Sequence, residues 1–165
     1  MKKAFILLGF FFFYAFGNQA NNVIGWNYLQ VIFKKYDFFY ERIITNKNSI
    51  KINPIYGGKY NNDEWQVRVN LSFDHYFKEN FKGWCLSPLV SFFYAQADYP
   101  NIVPRKQSVK TISPALSIAY HWLFNDRFTM GVGMGVGPVI HLHRDALMNK
   151  GVAYFMAIEH IGIVF

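Results

Sequence analysis

The side chains able to do chemistry in this chain are few and far apart. Glu41, Lys51, Arg68 and Asp74 lie in segments where polar and apolar residues alternate, each on the polar side of the alternation. If that side is enclosed, the four charges form a lumen charge network in which opposite signs must pair, because an isolated buried charge is costly. The expected product is a salt-bridged plug; transport or proton relay is the alternative chemistry for such a set. Counted symmetrically about Asn46-Lys47-Asn48, the hairpin places Glu41 near Asn53 and diagonal to Lys51.

The histidines raise a second chemistry. His141 and His143 are one residue apart, so in a strand both rings face the same way, as a metal pair requires. Asp145, Glu159 and His160 are the only further donors in view, and no cysteine is nearby, so no metal site is assigned. Cys85 is the single cysteine; it excludes an internal disulfide framework and reads as a small packed side chain. Acyl chemistry needs a nucleophile, a histidine and an acid. No His-x-Ser of the kind barrel-type lipid A deacylases carry occurs, and no catalytic or cofactor-binding residue is assigned.

These residues sit in segments of roughly ten to fifteen residues whose side chains alternate in character, as membrane-barrel strands do. From Trp65 to Phe77, one side carries Trp65, Val67, Val69, Leu71 and Phe73, the other Gln66, Arg68, Asn70, Ser72 and Asp74. A helix would mix these two sets; a strand separates them. Lys110 to Phe124 repeats the pattern, and in Phe128 to His141 the partners of Met130, Val132, Met134 and Val136 are glycines. Glycine weakens a strand, so a crowded interior is the expected reason for it. Val23 to Phe33, Asp37 to Thr45, Ser49 to Gly57, Gly83 to Ala97 and Gly151 to Phe165 complete eight predicted strands.

Short polar turns at residues 46–48, 78–82 and 125–127 alternate with longer connections at 58–64, 99–107 and 144–150. That asymmetry matches tight periplasmic turns and freer external loops, with Lys34-Lys35-Tyr36 as a short exception. The polar side is rich in Gly, Ser, Thr, Ala and Asn, which suits the inside of a narrow cylinder, and the bulky residues take the other side. Aromatic residues gather near predicted strand ends, among them Trp26, Tyr28, Trp84, Tyr94 and Trp122, as at a membrane boundary. The expected fold is therefore all-β, an eight-stranded antiparallel up-and-down transmembrane β-barrel. Glu159 departs from the scheme: counting back from Phe165 puts it on the lipid side, unless a bulge flips the parity or the strand boundary is near.

Met1-Lys2-Lys3 followed by the apolar stretch Ala4 to Phe16 is expected to be a cleaved signal peptide spanning 1–17, cut after Gly17 or alternatively after Ala20. The stretch is shorter than the roughly 18 to 20 residues of a spanning helix. Residues 18–165 then form one barrel domain. The formal charge is +7, or about +5 without Lys2 and Lys3, and the basic residues are scattered, so nucleic acid is not an expected partner.

The ending Ile161-Gly162-Ile163-Val164-Phe165 is similar to the assembly signal that closes bacterial outer-membrane barrels. Asp37-Phe38-Phe39-Tyr40-Glu41-Arg42, Lys82-Gly83-Trp84 with Ser87-Pro88, and Tyr120-His121-Trp122-Leu123-Phe124 resemble a family of small outer-membrane barrels classified by a domain of unknown function. The resemblance spans nearly the whole of residues 18–165 and implies a fold and a place, the bacterial outer membrane, with no established catalytic residues. The expected partners are outer-membrane lipids and lipopolysaccharide, and the barrel assembly machinery through Phe165. The basic, aromatic loops leave room for an extracellular protein partner. A structural or surface-interaction role without catalysis is expected; a lipid-modifying barrel enzyme and a soluble lipocalin-like binding barrel are the competing classes.

Overall fold

A computed structural model describes residues 22–28, 35–57, 65–98, 106–145 and 153–165, with side chains of the last stretch from His160 onward. The expected signal peptide and most of the long connections lie outside the described residues. Among the described residues nine strands are present: β1 (Asn22–Trp26), β2 (Lys35–Thr45), β3 (Asn48–Gly57), β4 (Trp65–Tyr76), β5 (Gly83–Asp98), β6 (Lys106–Phe124), β7 (Phe128–Pro138), β8 (Ile140–Arg144) and β9 (Ala153–Val164). Among the described residues every pairing is antiparallel: β1 to β7 pair in chain order, β8 pairs with β6, β7 pairs with β9, and β1 closes onto β9. Strands β7 and β8 are two parts of one staple of the wall, both paired with β6, so the sheet is a closed eight-stranded barrel. Closure removes the two free edges that an open sheet of these strands would have.

The break between β7 and β8 has a chemical cause. The β6–β7 register, continued, would set Pro114 opposite Pro138, and neither can donate a ladder hydrogen bond. Pairing resumes at Ile112↔Ile140. The register is kept across the break and slips only beyond it, where Thr111 pairs with His141 but Lys110 pairs with His143, leaving Leu142 as an extra residue.

Turn chemistry sets the short-turn end. Asn125 and Asp126 have φ of 50° and 54°, and the Arg127 N–H donates to Phe124 O at 3.1 Å. Both central residues of this turn have positive φ, which suits the strand twist, and three residues separate the paired Phe124 and Phe128. In the β2–β3 hairpin, Thr45 Oγ1 accepts from the Asn48 N–H at 3.1 Å and from Asn48 Nδ2 at 2.8 Å. Thr45 pairs with Asn48 but Ile43 pairs with Ser49, so Ile44 is bulged. The symmetric count around 46–48 is thereby corrected: Glu41 stands directly opposite Lys51, and Asn53 lies further along, opposite Asn70.

The partition of side chains is inside-out relative to a water-soluble domain. Among the described residues, nine hydrophobic ones are buried against sixteen polar or charged ones, and most of the large apolar side chains face outward. Leu71, Ile118 and Val132 are 43%, 44% and 47% exposed, whereas Asn70 and Ser117 are buried. A polar row, Asn53, Asn70, Ser91 and Ser113, crosses four adjacent strands in register inside the barrel. The alternate glycines of β7 make the wall thin: a Cβ on Gly133 would lie 2.6 Å from Ala119 Cα, and one on Gly137 would lie 2.7 Å from Ala115 Cα.

Candidate functional site

Strands β2, β3 and β4 each contribute one charge to the lower lumen, because inward positions recur every second residue and the bulge at Ile44 sets their heights. Lys51 Nζ donates to Asp74 Oδ2 at 2.5 Å and lies 3.5 Å from Glu41 Oε2. Glu41 and Asp74 are fully buried. The other Glu41 oxygen accepts from the Ser49 hydroxyl and, at 2.8 Å, from the Tyr76 hydroxyl. One ammonium thus holds two carboxylates, and two hydroxyls satisfy one of them. Such a cluster is tolerated in low dielectric only because its members meet one another.

Of the four charges expected in one network, the structure brings together Glu41, Lys51 and Asp74. Arg68 lies apart. Its guanidinium carbon sits 5.0 Å from the centre of the Phe93 ring, near Lys35 and Asp37 towards the long-connection end. Asp37 is also buried, and Asn53 Nδ2 donates to it and to Phe38 O. The interior therefore carries two separate polar groups. The register slip in the β2–β3 hairpin, invisible in residue spacing, sets Glu41 against Lys51, whereas Arg68 stands apart because six residues, about 20 Å of strand, separate it from Asp74 on β4.

Beside this group, in contact with Tyr76 and Phe39, lie two imidazoles. His121, Gly131 and His160 occupy one row across β6, β7 and β9. A Cβ on Gly131 would meet the His160 ring, so the glycine lets the two histidines lean together, with ring centroids 4.9 Å apart. Tyr76 packs edge-on against His121 at 5.1 Å, and Phe39 against His160 at 4.9 Å. His121 Nδ1 and His160 Nε2 have no hydrogen-bond partner among the described residues. Among those residues no group of three or more His, Cys, Asp and Glu is placed to hold a metal ion. Sequence spacing gave no hint of this pair, since its members are 39 positions apart by their numbers; only the strand register joins them.

The pair expected at the external end separates. With Leu142 bulged, His143 pairs with exposed Lys110 and His141 pairs with buried Thr111, so the two rings do not share a side. His143 Nε2 lies 3.4 Å from Asp145 Oδ1. Asp145 Oδ2 accepts from the Ser108 N–H at 2.6 Å, and this bond, ahead of the nearby His143, holds the Asp145 carboxyl below the usual carboxylate range. Cys85 is buried, with Sγ 3.4 Å from Ser87 Oγ. Glu159 pairs with Val132 by backbone; the β7–β9 ladder shows no register shift, so the parity-flipping bulge is absent, and the Glu159 side chain lies outside the described residues.

The turn after β4 holds a feature that its polar composition hid. Phe81 has φ of 61°, and its ring is buried against Tyr76 with centroids 5.4 Å apart. Together with Val23, Phe39 and Cys85 these rings form the one apolar cluster described inside the barrel, closing its short-turn end. Asn80 ties this turn to the neighbouring hairpin through its N–H to Asn46 O at 3.0 Å and its Nδ2 to Thr45 O at 2.6 Å. The signal in the sequence was a lone Phe inside Lys78-Glu79-Asn80-Phe81-Lys82. Phe81→Ala is expected to cost about 3–5 kcal/mol, as for other buried Phe truncations. Phe81→Gly should be milder than Phe81→Ala by about 1 kcal/mol, because glycine carries no penalty at positive φ. Urea unfolding of the two variants checks the order.

No family model, curated protein or solved structure matches the chain. What fold and interior define is a class: a closed, eight-stranded, antiparallel β-barrel whose lumen is packed with polar side chains.

Proposed function

We propose that this chain is a small bacterial outer-membrane β-barrel with a structural or surface-interaction role and a filled lumen, with no catalytic function. One observation carries the reading. A closed cylinder with Leu71, Leu116, Ile118, Met130, Val132, Met134 and Val136 on its exterior and Asn, Ser, Thr and ionic residues inside is stable only where the exterior meets hydrocarbon. A soluble lipocalin-like barrel needs the opposite partition. Closure supports the same reading, since every backbone group in a bilayer must be paired within the protein.

In this reading, tight turns face the periplasm and the longer connections face outward, where they meet lipopolysaccharide or an extracellular protein. The strand that ends at Phe165 engages the barrel assembly machinery. The resemblance to the family of unknown function and the export signal expected at residues 1–17 point to the same location. The charge cluster fills the barrel instead of gating it, because Glu41, Lys51, Asp74 and the Phe81 cluster occupy its lower half together.

Two measurements test the proposal. Unheated protein should migrate faster than boiled protein on a denaturing gel and should fractionate with the outer membrane; soluble, heat-insensitive protein would end the membrane reading. Lipid A mass profiles should be the same with and without the gene; a gained or lost acyl chain would replace the non-catalytic role with a lipid-modifying one.

A further inference from the structure

The exterior of the short-turn end carries a ledge of mixed character. Trp84 and Tyr120 face each other across the β5–β6 ladder with ring centroids 5.3 Å apart and perpendicular planes, and Trp122 lies 4.8 Å from Tyr120. Trp84 and Trp122 are 53% and 40% exposed. Directly beneath, Gly83 has φ of 80°, and a Cβ there would touch only the Lys78 stem, at 3.5 Å from Cδ. The Lys78 stem thus reaches Gly83, the residue before Trp84 in the chain.

Lys82 adjoins it, its ammonium 3.2 Å from Glu79 Oε2. The β2–β3 turn touches this one through the Asn80 bonds, and adds Lys47, whose carbonyl accepts from the Tyr76 N–H. Two contacting turns therefore bear Lys47, Lys78 and Lys82, all exposed, against Glu79 alone. Across the ledge, the turn after β6 bears Arg127 and Asp126.

We infer that this ledge is a binding surface for a phospholipid with a net negative headgroup, in the leaflet that meets the short turns. The inference rests on the membrane reading above. Amphipathic rings hold the boundary between acyl chain and headgroup, with the ring body in hydrocarbon and the indole N–H or phenol hydroxyl towards water. Lysines just beyond that boundary meet the phosphate, each worth on the order of fivefold in partition near an anionic surface. Lys82 stands two residues before Trp84 in the chain and the Lys78 stem reaches Gly83, so the basic turn adjoins the strand end that carries the rings. Charge complementarity selects the occupant: three lysines and one glutamate favour an anionic headgroup over a zwitterionic one.

The test uses the full barrel in vesicles of phosphatidylcholine with brominated phosphatidylglycerol or brominated phosphatidylcholine as a minor component. Trp84 fluorescence is read in a Trp26→Phe, Trp65→Phe, Trp122→Phe background. Brominated phosphatidylglycerol should quench it severalfold more efficiently at low salt, and the preference should vanish in Lys47→Gln, Lys78→Gln, Lys82→Gln protein. It should persist in Lys106→Gln, Lys110→Gln protein, whose changes lie at the other end.

Equal quenching by the two lipids, or an unchanged preference in the triple lysine variant, overturns the site. Absence of quenching by either lipid, with the barrel outside the vesicle pellet, instead overturns the membrane reading on which it rests. If the fluorescence background fails to fold, counting phosphatidylglycerol retained by otherwise wild-type protein in native mass spectrometry decides the question: a count not lowered by the triple lysine change overturns the inference.

Discussion

Replacing Lys51 by methionine is expected to be the most damaging single change in the barrel. Its ammonium is the shared partner of Asp74 and Glu41, both fully buried. Without it, two carboxylates face each other in a lumen that gives them little water. Removing one partner of a buried ion pair costs about 3–5 kcal/mol, chiefly because the other charge is stranded. Here two are stranded by one substitution, so the upper end of that range is expected, seen as a lower urea midpoint and a smaller fast-migrating fraction on unheated gels. Adding Glu41→Gln and Asp74→Asn to Lys51→Met should recover most of the loss, since neutral amides can hydrogen-bond with Ser49, Tyr76 and each other. If Lys51→Met alone folds like the parent, the cluster is not a structural plug. If the triple change is as damaging as the single one, shape and not charge is what Lys51 supplies. The same experiment speaks to Arg68. Arg68→Met, placed apart from the cluster near Lys35 and Asp37, should gain nothing from Glu41→Gln and Asp74→Asn, and the two sets should add independently.

The second large effect is expected from filling the space that β7 leaves empty. Gly133→Val and Gly137→Val each place a side chain against backbone of β6, at Ala119 and Ala115, where no flexible chain end can give way. Overpacking a close-packed interior typically costs about 1–3 kcal/mol. The double variant is expected to exceed that and to yield little folded barrel, because the β6–β7 ladder must spread to admit both. The outward neighbours give the control: Met134→Leu, at a position 70% exposed, should leave folding unchanged. A soluble barrel with its apolar side inward would show the reverse sensitivity, tolerant at the glycines and intolerant at Met134. Folded fraction on gels and yield from refolding into vesicles measure both arms. A double glycine variant that folds at parental yield would show that the lumen is looser than these distances imply.

Much of the architecture was legible without coordinates, and the reason is periodicity. In Trp65 to Phe77 and in Lys110 to Phe124 alternation sorts large apolar from small polar side chains, and the coordinates place those sets outside and inside as expected. Strand number and order followed too, because short turns can join only antiparallel neighbours. Local errors came where a single residue was inserted. Ile44 and Leu142 bulge out of their ladders. The first moved Glu41 onto Lys51, and the second parted His143 from His141. A bulge depends on how the turn and both flanking strands share hydrogen bonds, which one strand's pattern does not encode.

What this chain's residues determined by themselves is the class of wall: eight alternating segments, small and polar on one side, large and apolar on the other, with turn residues at Asn125 and Asp126 that take positive φ unaided. Tertiary structure alone decided which interior groups meet. It joined His121 to His160 across Gly131, gathered Glu41, Lys51 and Asp74, and drew Phe81 from a polar turn into the barrel mouth. The division is physical. Which side a strand residue faces depends on its own count along the chain, whereas its height against residues on other strands depends on every turn and bulge between them.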